Sequence, residues 1–289
     1  MTNELKADIS LIIVTIFWGT SFPITSLALK DMSPYAFLTY RYILSAVIML
    51  ILTHKKLKYL NKGTFKAALY IGGTLFFGSI IQTVGLLYTT PSKSGFISGL
   101  SVVLVPLLIG IVYRKLPDTK TILGVMLSVA GLFLISINKA SPINFGDILT
   151  LSCAFLFALQ ILVVDSFAKD KDILLLTTMQ IVIVAGFGII LSMFLGKLYI
   201  KFTLLSFSAI VYTSLFCTVA AYIVQNKMQP YLKPTHAAII FLLEPVAGAV
   251  SSVFIGDKLS KSAYFGAALI LFGMLITSIK KRKLYNSKT

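Results

Sequence analysis

The sequence predicts an all-α membrane protein in which ten transmembrane helices form two inverted five-helix repeats. Of the 289 residues, 57% are hydrophobic and 12% are charged, whereas soluble domains contain roughly 45–50% and 25% of these classes. Apolar segments of ~19–23 residues recur along the whole chain, and each is long enough to cross a bilayer as a helix. The two halves also share residues at a nearly constant spacing.

Ten apolar segments follow one another, and short connections join them. The first five cover residues 9–28, 34–53, 65–87, 92–113 and 119–137. The second five cover residues 146–166, 173–194, 204–226, 235–256 and 260–279. An odd number of spans in each half reverses the direction in which the second half enters the membrane. The count therefore predicts an inverted repeat, an architecture found mainly in secondary transporters.

The basic residues indicate how the segments are oriented. When successive loops are assigned to alternate sides, 18 Lys and Arg residues fall on the side of the N-terminus and 7 on the other. Cytoplasmic loops carry the excess of positive charge. We therefore expect both termini in the cytoplasm and the chain in a bacterial cytoplasmic (inner) membrane. The net charge of +16 follows from this placement and does not indicate a nucleic-acid partner.

Identities between the halves place the repeat boundary near residue 140. The matched pairs are Asp8 and Asp147, Thr39 and Thr178, and Ala46 and Ala185 at an offset of 139; Phe65 and Phe207, Tyr70 and Tyr212, Gly124 and Gly266, and Gly131 and Gly273 at 142; and Lys115 and Lys258 at 143. We assign residues 1–139 to the first five-helix repeat and residues 140–289 to the second. The paired glycines predict close helix packing.

One carboxylate lies deep inside an apolar segment. Glu244 falls near the middle of residues 235–256, where a charge costs at least about 2.5 kcal/mol unless it is paired, protonated or facing water. Pro245 follows it and removes a backbone donor at the same depth. Glu244 is therefore a candidate for carrying a proton or cation or for binding a substrate amine. The alternative is a structural ion pair with a neighbouring helix.

Arg41 is the charged residue within the second segment. Its planar guanidinium is suited to binding a substrate carboxylate. Two alternatives remain open: Arg41 pairs with Glu244 when the site is empty, or its side chain extends to the outer interface.

Several polar and aromatic residues complete the predicted substrate site. They are Trp18, Ser21, Gln82, Tyr88 and Gln160. Interhelical hydrogen bonding and ordinary packing are the alternative interpretations for these side chains. Lys93 and His236 are related by an offset of 143, so an inverted repeat places them at opposite mouths of the pathway. We regard both as candidate gate or coupling residues, and as helix-start groups otherwise.

Some motifs resemble those of a known family along the whole chain. They are Phe17-Trp18-Gly19-Thr20-Ser21-Phe22-Pro23, Arg41, Gly95-Phe96-Ile97-Ser98-Gly99-Leu100, Leu243-Glu244-Pro245 and Gly256-Asp257-Lys258-Leu259. Together they resemble the EamA-type branch of the drug/metabolite transporter superfamily, which commonly has Glu at the position of Asp257. The resemblance implies two five-helix repeats and export of small metabolites, such as amino acids or drugs, by alternating access. It also implies coupling to protons.

Other classes of function are less consistent with the residues. Cys153 and Cys217 lack metal-site spacing, and His54 and His236 form no ligand pair, so we expect no metal, no cofactor and no enzyme activity. A lipid flippase or scramblase and a passive channel remain alternatives. The expected partners are a small-molecule substrate, the lipid bilayer and protons, with the protein acting as a monomer or homodimer.

Overall fold

The computed structural model describes residues 2–89, 91–114, 117–136, 144–201, 203–253 and 261–278, and these residues are almost entirely helical. In the first half the helices are α1 (Asn3–Ala28), α2 (Pro34–Thr53), α3 (Lys62–Gly85), α4 (Pro91–Gly99), α5 (Ser101–Tyr113) and α6 (Thr119–Ser136). In the second half they are α7 (Phe145–Phe167), α8 (Ile173–Phe194), α9 (Leu204–Ser214), α10 (Ala221–Met228), α11 (Pro234–Phe241), α12 (Leu243–Val253) and α13 (Lys261–Ser278).

The helices coincide with the predicted apolar segments to within a few residues at most ends. In the part of the chain that the structure describes, seven helical segments are long and apolar enough to cross a membrane. Three shorter apolar segments lie at Thr119–Leu134, Pro234–Gly248 and Tyr264–Thr277. The chain is therefore an all-helical, multi-pass membrane protein.

Three of the segments are interrupted within their length. A break at Leu100 separates α4 from α5, and a break at Leu242 separates α11 from α12. Pro245 explains the second break. It has no N–H to donate, and its ring would clash with the carbonyl of Phe241, four residues earlier, in a continuous helix. The third interruption is a single π-helical stretch, Leu215–Ala220, between α9 and α10. We call this stretch the π-segment.

The two halves of the sequence are interleaved in space. The most extensive helix contacts join α6 to α13, α3 to α7 and α8, α2 to α8, and α1 to α12, so each crosses from one half to the other. Glycines permit the closest of these approaches: a Cβ added at Gly124 would lie 2.9 Å from the carbonyl oxygen of Gly273. The close helix packing predicted at these glycines is therefore confirmed between α6 and α13.

Connections far apart in sequence also meet at the ends of the helices. Ser33 Oγ donates to the carbonyl of Lys197 at 2.9 Å, which joins the α1–α2 connection to the α8–α9 connection. Lys56 Nζ lies 2.8 Å from Asp172 Oδ2, which joins the α2–α3 connection to the α7–α8 connection. Asp172 also accepts from the backbone N–H groups of Leu174 and Leu175 and so caps α8. The hydrogen bond from Lys56 is the main reason why the pKa of Asp172 lies below its ordinary value.

Candidate functional site

A cavity lies where the interrupted helices meet the first three. The breaks at Leu100 and Leu242 form part of its wall, which includes Ser98, Gly99, Ser101, Phe241 and Leu242. Its volume is about 100 Å³, counted as the space open to the centres of water-sized molecules, and one water needs ~10–15 Å³ on this measure. The cavity therefore has room for several waters or for a small polar molecule.

Glu244 lies in the first turn of α12 and lines this cavity. No ion pair or hydrogen bond joins its side chain to the residues that the structure describes. Its backbone packs closely on α1, because a Cβ added at Gly19 would lie 2.5 Å from the Glu244 carbonyl oxygen and 2.5 Å from Ala247 Cβ. Gly19 in the first motif thus allows α1 to approach the helix that carries the carboxylate.

Arg41 lines the same cavity but forms no salt bridge with Glu244. Its Nε donates to Thr218 Oγ1 at 2.8 Å, and its Nη2 donates to the carbonyl of Cys217 at 3.1 Å. Both acceptors belong to the π-segment. The structure therefore favours neither of the two alternatives considered for the empty protein, pairing with Glu244 or extension to the outer interface.

Aromatic side chains form part of the cavity wall around Trp18. The Trp18 ring centroid lies 5.7 Å from that of Tyr222 and 5.4 Å from that of Phe241. Its Nε1 donates to the carbonyl of Cys217 at 2.9 Å, so the ring is held at a fixed angle. Phe157 of α7 also lines the cavity. These faces provide apolar contact area beside the two charged groups.

Three amides contribute buried polar atoms that have no hydrogen-bond partner in the part of the chain that the structure describes. The Nε2 atoms of Gln82 and Gln160 and the Oε1 atom of Gln225 are buried without a hydrogen bond, and all three residues line the cavity. Gln225 is fixed at its other end, where Nε2 donates to Gln229 Oε1 at 3.0 Å. A buried polar atom without a partner costs about 1–3 kcal/mol. A ligand with hydrogen-bonding groups would remove that cost.

The predicted site residues divide into those that meet at the cavity and those that do not. Six line it: Trp18, Ser21, Arg41, Gln82, Gln160 and Glu244. Ser21 turns its hydroxyl to the carbonyl of Trp18 at 2.7 Å. Tyr88 does not belong to the wall; it is 53% exposed and stacks edge-on against Phe145 at 5.5 Å.

Of the two candidate gate residues, the structure describes the side chain of His236 but not that of Lys93. His236 is buried near the start of α11 and bonds to Asp8 of α1 and Thr277 of α13, each at 2.9 Å. It lies outside the cavity wall. Lys93 belongs to α4, but its side chain lies outside the described part of the chain, as do Asp257 and Lys258.

Sequence reasoning missed several members of this site. Tyr222, Phe157 and Phe241 carry no pattern that separates them from packing aromatics. The π-segment also gives no sequence signal apart from a change in the spacing between the halves. Asp8 was visible only as a repeated residue, with nothing to connect it to His236.

Comparison with known proteins identifies the family of this chain. The model of the EamA-like transporter family matches twice, over residues 5–137 and 144–279. The chain belongs to the EamA-like transporter family. This result confirms the resemblance found in the motifs, and the protein is a multi-pass membrane transporter.

Similar proteins match along nearly their whole length. An uncharacterized transporter of Archaeoglobus fulgidus is 34% identical over 283 residues, covering 96% of this chain and 87% of that one. The uncharacterized transporter YyaM of Bacillus subtilis is 27% identical over 300 residues, covering 99% and 98%. A solved crystal structure superposes with a TM-score of 0.78 at 13% identity, covering 95% of this chain and 97% of that one. That likeness concerns the fold alone.

Proposed function

We propose that this EamA-like transporter exports a small polar or amphipathic metabolite by alternating access, driven by protons, with Glu244 as the central binding and coupling residue. The observation that carries the proposal is the Glu244 carboxylate in the cavity without an ion pair among the described residues. A deep carboxylate of this kind is costly and is tolerated where it serves a substrate or proton pathway.

The proposed scaffold is ten transmembrane helices in two inverted repeats. Its support is a symmetric pattern of contacts. If each span is replaced by the corresponding span of the other half, the contact of α3 with α7 becomes a contact of α1 with the helix formed by α9 and α10, and both contacts are present. The same exchange converts the contact of α1 with α11 and α12 into that of α7 with α4 and α5. An alternating count of ten spans also puts Ser33 beside Lys197 and Lys56 beside Asp172 on common sides. The excess of lysines makes the side of Lys56 cytoplasmic.

The moving groups in this proposal differ from the simple halves of the sequence. One group is α1 with α9 to α12, and the other is α7 with α3 to α5, because these helices contact one another. Each group contains helices from both halves, and the cavity lies between them. Rocking of one group against the other exposes Glu244 to each side in turn.

The cavity groups have distinct proposed roles. Glu244 takes the proton or the ammonium of a ligand, and the free amide atoms of Gln82, Gln160 and Gln225 bind its polar groups. Trp18 and Phe241 contact its apolar part. Ser21 and Arg41 complete the wall.

A thermal-shift screen tests the proposed binding site directly. Amino acids, polyamines and cationic drugs are added separately to the purified protein, since a ligand that binds only the native state raises its apparent stability. We expect a stabilising compound for the wild type and no shift with the same compound for Glu244→Gln. Equal shifts for both proteins would exclude Glu244 as a binding residue.

Two control assays separate transport from the alternatives. Vesicles containing the protein should show neither ohmic conductance nor exchange of labelled phospholipid between leaflets. Conductance without saturation would indicate a channel, and lipid exchange would indicate a scramblase.

A further inference from the structure

The helix formed by α9, the π-segment and α10 differs from its counterpart in the first half. Its counterpart, α3, runs without interruption from Lys62 to Gly85. The two begin at residues 62 and 204, an offset of 142, but end at residues 85 and 228, an offset of 143. A π turn closes over five residues where an α turn closes over four. The one-residue change in offset matches the wider turn of the π-segment.

The π-segment supplies two acceptors to side chains of the cavity wall. The carbonyl of Cys217 accepts from Trp18 Nε1 at 2.9 Å and from Arg41 Nη2 at 3.1 Å. Thr218 Oγ1 accepts from Arg41 Nε at 2.8 Å and donates to the carbonyl of Thr213, five residues earlier, at 2.9 Å. In a regular α-helix the Cys217 carbonyl would accept from the backbone N–H four residues later. Its acceptance from both Trp18 and Arg41 therefore depends on the wider turn of the π-segment.

The equivalent position in the second half carries no charge. At the offset of 139 that relates Thr39 to Thr178, Arg41 corresponds to Gln180. Gln180 lies against the uninterrupted α3, where a Cβ added at Gly72 would lie 3.0 Å from its carbonyl oxygen. The Gln180 side chain accepts from Asn226 Nδ2 at 2.7 Å. The arginine thus bonds to the π-segment, whereas the neutral amide has its backbone against the regular α3 and its side chain bonded to Asn226 of α10.

We infer that Arg41 is a positioning residue: its guanidinium holds the π-segment in place, and through the Cys217 carbonyl it fixes the Trp18 indole at the cavity wall. Glu244 and the amides of Gln82, Gln160 and Gln225 then contact the ligand. The inference deepens the proposed function, on which it rests for the meaning of the cavity. It replaces substrate-carboxylate binding as the role of Arg41.

Trp18 is the single tryptophan of the chain, so its fluorescence reports on this contact without a substrate. The full-length protein is measured in detergent as the wild type and as Arg41→Lys and Thr218→Val. Lysine cannot donate two bonds in one plane, and valine removes the acceptor at nearly constant volume. We expect both variants to shift the emission maximum to the red by several nanometres as the indole N–H turns towards the cavity. The double variant should shift it no further.

Two matched variants separate positioning from general disturbance. Thr218→Ser retains the hydroxyl and should restore the wild-type emission. Thr74→Val changes a threonine of α3 whose hydrogen bonds in the described part of the chain stay within its own helix, to the carbonyls of Tyr70 and Ile71, and it should leave the emission unchanged. Circular dichroism and the elution profile verify that each variant is folded.

The outcomes are independent of transport. Wild-type emission from folded Thr218→Val, or additive shifts in the double variant, would overturn the positioning role while leaving the proposed transport intact. If no transported compound exists, the fluorescence result still stands.

Discussion

His236 Nε2 lies 2.9 Å from Asp8 Oδ1, although the two residues are 228 positions apart in the sequence. The second ring nitrogen, Nδ1, lies 2.9 Å from Thr277 Oγ1. One buried imidazole therefore connects α11, α1 and α13. These helix ends belong to the side that the proposed topology places in the cytoplasm.

Removal of this imidazole should weaken the packing of the three helices. His236→Ala removes the contact of Asp8 with the imidazole and leaves the Thr277 hydroxyl bonded only within α13 among the described residues, and we expect the free energy of unfolding to fall by about 1–3 kcal/mol. Chemical denaturation in mixed micelles measures the change. His54→Ala is the control, because His54 is exposed and, among the described residues, bonds only to the carbonyl of Ile51. Equal effects of the two substitutions would contradict the connecting role of His236.

Gly19 should tolerate no side chain, because α12 packs against it. In Gly19→Ala the new Cβ would lie 2.5 Å from both Ala247 Cβ and the Glu244 carbonyl oxygen, so α12 must move. We expect about 1–3 kcal/mol of destabilisation from overpacking and loss of the ligand-induced thermal shift.

Gly73→Ala provides the matched control for that prediction. Apart from its own helix backbone and chain neighbours, no described residue lies within 4 Å of a Cβ added at Gly73, and alanine is favoured over glycine in a helix by ~1 kcal/mol. We therefore expect unchanged or slightly higher stability and normal ligand binding. If Gly19→Ala behaved as Gly73→Ala does, the close approach of α1 to α12 would be incorrect.

Binding and stability should separate at Gln160. Its Nε2 is buried and has no hydrogen-bond partner among the described residues, so Gln160→Met should maintain or raise the free energy of unfolding of the empty protein. The same substitution removes a ligand-binding amide and should abolish the thermal shift produced by the compound found in the screen. Retention of the full shift would show that Gln160 does not contact the ligand.

Much of the fold could be predicted from the sequence because bilayer thickness fixes the length of each apolar segment. Residues 34–53 and 173–194 coincide with α2 and α8. The interruption in residues 235–256 was foreseeable from Pro245. The break at Leu100 was not foreseen, because no proline marks it. The proline nearest to it in that segment, Pro106, lies inside α5, and α5 continues through it.

The site was less accessible to sequence reasoning, since apolar helices offer few distinctive side chains. Glu244 and Arg41 stand out by charge, and both line the cavity. The hydrogen bonds of Arg41 to the π-segment depend on a local widening of one helix, which single residues do not reveal. Tyr88 is of a residue type common in binding sites, but its ring packs against Phe145 at the start of α7. The sequence does not show this, because the position of α7 decides where the Tyr88 ring packs.

The contact between Lys56 and Asp172 predicts a pH-dependent contribution to stability. Asp172→Ala removes both the cap of α8 and the partner of Lys56, so the free energy of unfolding should fall by about 1 kcal/mol at pH 7. The Lys56 ammonium keeps the pKa of Asp172 below its ordinary value of 3.8. The charged contribution is therefore complete above this value and is lost as the pH falls below it.

Denaturation of the wild type, Asp172→Ala and Asp172→Asn as a function of pH tests this assignment. Asparagine retains capping ability, so its deficit at pH 7 should be smaller than that of alanine. The difference between wild type and Asp172→Asn should diminish in acid. A difference that does not change with pH would mean that the carboxylate charge contributes nothing to folding.

The most direct test of the central claim is proton-driven transport by Glu244→Gln in proteoliposomes. The compound identified by the thermal-shift screen is loaded into vesicles, and its release is followed with and without an imposed pH gradient. Asp165→Asn serves as a control, because Asp165 lies near the end of α7 and pairs only with Lys169 at 3.3 Å among the described residues. We predict that the control responds to the gradient as the wild type does, whereas folded Glu244→Gln shows no acceleration. Full gradient-driven release by Glu244→Gln would contradict the proposed coupling role.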